Sequence, residues 1–209
     1  MTSTSPISFS TLDDSDELAR AELYGLLARL WLGPPDADLL QKFSVAVTQP
    51  PEPGGLLEGP WLDLVGALRA TNVEEAAAEH ADLFLAIGKP EIFTYGSYYL
   101  TGFLNERPLA TLREDLAVLG LTRAPESAET EDHVSYVLEV MRYLIAGDDV
   151  EVCNLEQQRR FFRAHVQTWV PRLCETVRAH PRARTWAAIA GFTEAFIAVE
   201  TQGFDMLEA

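Results

Sequence analysis

The chain has 209 residues, 47% of them hydrophobic, enough for one self-sufficient domain with a sizeable core. Asp and Glu outnumber Lys and Arg by 32 to 16, leaving a formal net charge of -16. Such a field repels nucleic acid phosphates and anionic membrane surfaces and attracts cationic partners. The two cysteines, Cys153 and Cys174, have no CxxC spacing and fit a reducing compartment better than a disulfide framework.

The first residues, MTSTSPISFSTLDDSDE, lack the basic and apolar regions of a secretory signal, and no apolar run is long enough to span a membrane. The expected location is cytoplasmic, without stable membrane insertion. Residues 1–12 are Ser/Thr-rich and read as a flexible arm, and residues 13–209 read as one domain. Asp14-x-x-Glu17 offers a capping box for a helix to about Trp31, with Leu23, Leu26, Leu27 and Leu30 along one face. Gly33-Pro34-Pro35 ends it, and a shorter helix is expected from Asp38 to about Val47. After a Pro/Gly-rich connector at 49–59, Pro60 opens a helix carrying Trp61, Leu64, Val65 and Leu68 inward. Asn72-x-x-Glu75 caps the next, which carries Ala76, Ala77, Leu83 and Phe84 and is stopped by Gly88 and Pro90.

An aromatic cluster follows, Phe93, Tyr95, Tyr98 and Tyr99 around the small Gly96 and Ser97, leading into a helix from Ser97 to about Asn105. These rings fit a core or the wall of a cleft. Pro108 to Leu119 reads as a helix closed by Gly120, with Leu109, Leu112, Leu116 and Leu119 inward. A polar hinge at 122–128 leads to a long helix from about Glu129 to Ala146, striped by Val134, Val137, Leu138, Met141, Leu144 and Ile145. Asn154-x-x-Gln157 starts another, with Phe161, Phe162, His165, Val166 and Trp169, and Pro171 must kink or restart it. Thr185 begins the last helix, with Trp186, Ile189, Phe192, Phe196 and Val199. No alternating strand and no hairpin turn stands out, so the fold class is all-α, a single-domain helical bundle.

The sequence shows no phosphate loop, no G-x-S-x-G, no HExxH and no Glu-x-x-His, so no catalytic residue, metal or cofactor is expected. The remaining chemistry is Glu129-Thr130-Glu131-Asp132-His133. In a first helical turn these acids simply offset the helix dipole, with Thr130 or Ser127 as cap. As a site they form an acidic recognition point for guanidinium, to which His133 adds a hydrogen bond or pH sensitivity. A metal-dependent hydrolase built on the Glu129–His133 cluster is the enzymatic alternative, although no second histidine or cysteine has suitable local spacing.

Together, Tyr95-x-Ser97-x-Tyr99 and Glu129-x-x-Asp132-His133 resemble the signature of the TorD/DmsD redox-enzyme maturation chaperones. The order agrees too: LF-x-x-x-G first, a helix ending near LGL between the motifs, and Gln158-x-x-Phe161-Phe162-x-x-His165-Val166-x-x-Trp169 after them. The resemblance runs from Ala81 to about Trp169, and Thr130 stands where the family often has proline. It implies an all-helical cytoplasmic chaperone that binds the twin-arginine signal peptide of a molybdenum-cofactor oxidoreductase precursor and holds it until cofactor insertion. It also implies that Tyr95, Ser97, Tyr99, Glu129, Asp132 and His133 lie at or near the client site; from their own chemistry, Phe93, Tyr95 and Tyr99 are expected to line the neighbouring groove. Asp132 and Glu129 are expected to face the arginines. A monomer or a domain-swapped dimer fits, and an adaptor inside a redox complex is the other non-enzymatic alternative.

Overall fold

The computed structural model describes residues 14–45, 54–85 and 89–206, with Asp14 and Ser15 described by their backbone alone. The expected arm at 1–12, the Asp14 side chain of the capping box, Val47, residues 49–53 of the connector and Gly88 therefore lie outside the described residues.

Among the described residues there are ten helices and no strand: α1 (Asp14–Leu32), α2 (Ala37–Val45), α3 (Glu58–Ala70), α4 (Val73–Phe84), α5 (Gly96–Thr101), α6 (Arg107–Val118), α7 (Val134–Ala146), α8 (Leu155–His165), α9 (Val170–Arg178) and α10 (Thr185–Met206). The expected all-α bundle is what forms. None of these helices is long and apolar enough to cross a membrane.

Helix α7 lies at the centre. Its stripe of Val134, Val137, Leu138, Met141 and Leu144 is sealed from solvent, and α1 packs along it. Helix α10 forms the second spine, packed on α9 and α3. The α1 face that docks is centred on Tyr24, Leu27, Leu30 and Trp31, with Leu23 and Leu26 only half-buried. The shift from the expected face follows from α10, whose Phe196 ring stands 4.8 Å from Tyr24 and whose Thr193 hydroxyl oxygen accepts the Trp31 indole N–H at 3.0 Å. A buried carboxylate, Glu200, fixes the same pair of helices by accepting from the Arg20 guanidinium at 2.9 and 2.8 Å and from the Tyr24 hydroxyl at 2.9 Å.

Local signals place most ends. Asn72 and Asn154 cap α4 and α8 by accepting from Glu75 N–H at 2.9 Å and Gln157 N–H at 3.1 Å. Pro171 sits in the first turn of α9, so it restarts the helix rather than kinking it. Helix α5 is shorter than expected because Gly102 turns left-handed (φ 86°) and closes it, its N–H donating to the Tyr98 carbonyl at 2.7 Å. Helix α7 also starts later than expected, at Val134 rather than Glu129, because the residues before it are drawn into a different main-chain pairing.

Candidate functional site

That pairing builds the site. The segment before α5 and the segment before α7 run antiparallel and join in a single β-bridge between Tyr95 and His133. Gly96 N–H donates to the Asp132 carbonyl and Val134 N–H donates to the Thr94 carbonyl, both at 2.9 Å. Tyr95 and His133 are at once the bridged pair and the N-caps of α5 and α7. Residues opposite one another on such a pair share a face, while their chain neighbours point to the other. The two sequence motifs therefore meet, and the bridge divides their side chains into two groups.

On one face, Tyr95, His133 and Glu129 line a cavity of about 600 Å³ together with Trp31, His80, Phe84 and Phe93. Leu32, Leu85 and Leu104 also line it and are 54%, 62% and 40% exposed, leaving an apolar rim open to a partner. Phe93 is packed on Tyr98 at 4.3 Å between ring centroids and sits under the Lys89 ammonium at 5.8 Å. The Tyr95 hydroxyl donates to Glu129 Oε2. Among the described residues Glu129 forms no ion pair, so this half-buried carboxylate is oriented yet has no cation of its own. Burial and the bond to Glu129 push the Tyr95 phenol well above its ordinary range, so the hydroxyl stays a donor.

On the other face lie Ser97 and Asp132, both buried, beside a smaller cavity of about 200 Å³ that reaches His165 and Trp169. Asp132 accepts from Ser97 N–H at 2.9 Å and from the Thr130 hydroxyl at 2.7 Å, tying the start of α5 to the turn before α7. Tyr99 is buried too, its ring stacked on Trp169 at 5.9 Å. A Cβ at Gly96 would stand 3.0 Å from the Trp169 ring, so any larger residue there must push the indole back by a few tenths of an ångström. Of the seven residues expected to meet a client, the structure brings Phe93, Tyr95, Glu129 and His133 to the large cavity. It places Ser97, Tyr99 and Asp132 in the joint that supports it.

The aromatic wall of the cavity draws on residues that the two motifs do not contain. Trp31, His80 and Phe84 line it without having been among the expected site residues. The available signal was the one-turn spacing of His80 and Phe84 on α4, which lets their rings meet at 5.2 Å and both reach Trp186. The donor set does not fit a metal: Glu129 is bonded by Tyr95, Asp132 faces away, and no group of three metal-ligating side chains forms among the described residues.

The cap of α7 is His133 itself, rather than Thr130 or Ser127. Its Nδ1 accepts from Ser135 N–H at 3.2 Å and lies 2.8 Å from the Ser135 hydroxyl. Burial is the main cause of lowering its pKa from 6.5 to about 4, with His80 acting in the same direction and Glu129 and Asp132 opposing. The unfolded chain therefore takes up a proton near pH 6.5 that the folded chain refuses until about pH 4. Its contribution is fully present above pH 6.5 and is lost as pH falls through that window. Urea titrations are expected to show His133→Asn losing less stability than the wild type between pH 7 and pH 4.5, by on the order of 2 kcal/mol.

The family model described as "Nitrate reductase delta subunit" matches residues 55–175, more than half of the chain and all of the bridge. The chain belongs to that family. A chaperone protein TorD of Psychrobacter sp. (strain PRwf-1) is 32% identical over 145 residues, 65% of each chain. A chaperone protein TorD of Vibrio cholerae serotype O1 (strain ATCC 39541) is 29% identical over 140 residues, 64% of each chain. That of Vibrio atlanticus (strain LGP32) is 29% identical over 154 residues, covering 66% of this chain and 71% of the relative. The chain thus matches a little under two thirds of the length of the first two relatives. The resemblance to the TorD/DmsD group read from two short motifs holds across the delta subunit family's matched region, and these named relatives are chaperones rather than enzymes.

Proposed function

We propose that this protein is a cytoplasmic chaperone for the maturation of a redox enzyme. Its client is the precursor of a molybdenum-cofactor oxidoreductase subunit, bound through a twin-arginine signal peptide until the cofactor is inserted. The reading is carried by Glu129: a carboxylate without a cation, oriented by Tyr95 inside a cavity whose walls are aromatic and whose rim is apolar. A signal with paired guanidinium groups followed by an apolar segment is complementary to that arrangement, and the net charge of -16 steers it inward. Aromatic walls favour arginine over lysine, because the planar guanidinium stacks and bonds in a fork. The protein has no catalytic role in this reading.

Calorimetric titration with a synthetic peptide of two adjacent arginines followed by an apolar run tests it. Binding is expected with a dissociation constant in the micromolar range, and about ten-fold weaker binding when both arginines are lysines. Equal affinity for the two peptides, or none for either, would count against it. The family description supports a second reading, an adaptor that stays with a reductase as a subunit. Retention of the chain by the mature enzyme on gel filtration would favour that reading, and release would favour the chaperone.

A further inference from the structure

Glu129 reaches the cavity from a segment with little regular structure to hold it. Residues 122–131, between α6 and α7, carry no helix. Among the described residues, the main-chain bonds of this segment are those from Ser127 N–H to the Ala124 carbonyl and from His133 N–H to the Thr130 carbonyl, both at 3.0 Å. Side chains supply the rest. Arg123 Nη1 donates to the Ser127 carbonyl and, at 3.4 Å, to the Glu129 carbonyl. Its Nε stands 3.8 Å from Glu131 Oε1, while Arg113 on α6 donates to Glu131 Oε2 from Nε at 3.0 Å and from Nη2 at 2.8 Å. A chain of contacts therefore runs from α6 through Glu131 and Arg123 to the main chain of Glu129. Arg123, Ser127 and Glu131 line a separate cavity of about 330 Å³ against α7, whereas Glu129 lines the one with Phe93 and Tyr95. The guanidinium holds the segment from behind, outside the lining of the cavity assigned to the peptide.

We infer that Arg123 is the positioning residue of the recognition carboxylate, fixing the Glu129 main chain while Tyr95 fixes its side chain. This inference rests on the proposed peptide-binding function and adds how that site keeps its geometry. Five N–H donors in one plane let a single guanidinium gather two carbonyls beside a carboxylate. With that hold released, Glu129 loses its alignment with an incoming guanidinium, whose forked bonds depend on direction. The sign of the effect separates this role from that of a bulk charge. Removing Arg123 makes an acidic protein one unit more negative, which by long-range attraction alone strengthens the binding of a cationic peptide. Loss of positioning weakens it.

The test titrates the diarginine peptide into the wild type, Arg123→Gln, Glu129→Gln and the double variant. Arg123→Gln alone is expected to weaken binding about five-fold, and to add nothing once position 129 is already glutamine. The Arg123 side chain is 36% exposed, so the melting temperature is expected to change little. Unchanged or tighter binding by Arg123→Gln overturns the inference. So does a fall that repeats in full in the Glu129→Gln background, which would mark a structural role independent of the carboxylate. Failure of the wild type to bind the peptide overturns the proposed function instead. A second readout needs no ligand: the ¹³Cζ NMR shift of Tyr95 reports its hydrogen bond to Glu129. In Arg123→Gln it is expected to move towards its value in Glu129→Ala. A shift that stays at the wild-type value overturns the inference whatever the peptide does. A shift that moves upholds the placement of Glu129 by Arg123 even where the peptide reading fails.

Discussion

Replacing Glu79 by alanine is expected to destabilise the fold by about 3 kcal/mol, the largest single effect outside the apolar core. Glu79 projects from α4 and is only 6% exposed. Its Oε1 accepts from Arg184 N–H at 2.7 Å and Trp186 N–H at 3.0 Å, and its Oε2 from Thr185 N–H at 3.1 Å. These are the free donors that every helix leaves at its start, here belonging to α10 and met by one carboxylate from another helix. Alanine strands all three beside buried Trp186 and Thr185, where water cannot easily replace the lost acceptor. An ordinary cap lost at the surface costs about 1 kcal/mol, so the excess comes from burial and from three donors instead of one. Urea unfolding should show a lower midpoint with an unchanged slope. Glutamine, which keeps one oxygen, should cost about half as much. A loss below about 1 kcal/mol in the alanine variant would mean that α10 finds another cap.

The second large effect is on binding. Glu129→Gln is expected to weaken the diarginine peptide at least ten-fold, about 1.4 kcal/mol, and to leave the melting temperature unchanged. Glutamine keeps an oxygen for the Tyr95 hydroxyl, so the side chain stays in place and only the charge is lost. The fall should shrink as salt is added, since the long-range part of the attraction is screened within about 10 Å at 0.1 M. Asp132→Asn is the informative partner. Asp132 is 4% exposed and engaged by Ser97 and Thr130, so its substitution should appear mainly as lost stability. If Asp132→Asn weakens binding more than Glu129→Gln in a folded protein, the division of labour across the bridge is wrong.

Much of the scaffold was legible because its signals are local. Asn72, Asn154 and Pro171 each act through their own turn of chain, and the stripe of α7 is a plain 3.6-residue period. The site was only half legible. The two motifs identify what comes together, but the bridge that joins them spans a single residue pair and leaves no alternation to read. Asp132 and His133 are adjacent in sequence and point into different cavities, which depends on main-chain conformation that composition does not reveal. Glu79 and Glu200 look like surface acids in an acidic chain. Their burial depends on donors more than a hundred residues away, Trp186 for one and Arg20 for the other.

The bridge also bears on how such a protein can diversify. Its two hydrogen bonds run from main chain to main chain, so the pairing itself does not depend on which side chains stand at 94 and 95. The residues that face the large cavity are thus free to change with modest cost to folding, provided position 133 keeps an acceptor for Ser135. Under the proposed function, a lineage would retarget this cavity to a differently shaped peptide by altering Phe93, Tyr95 or Glu129 one at a time. The frame beneath them stays in place while the lock is recut.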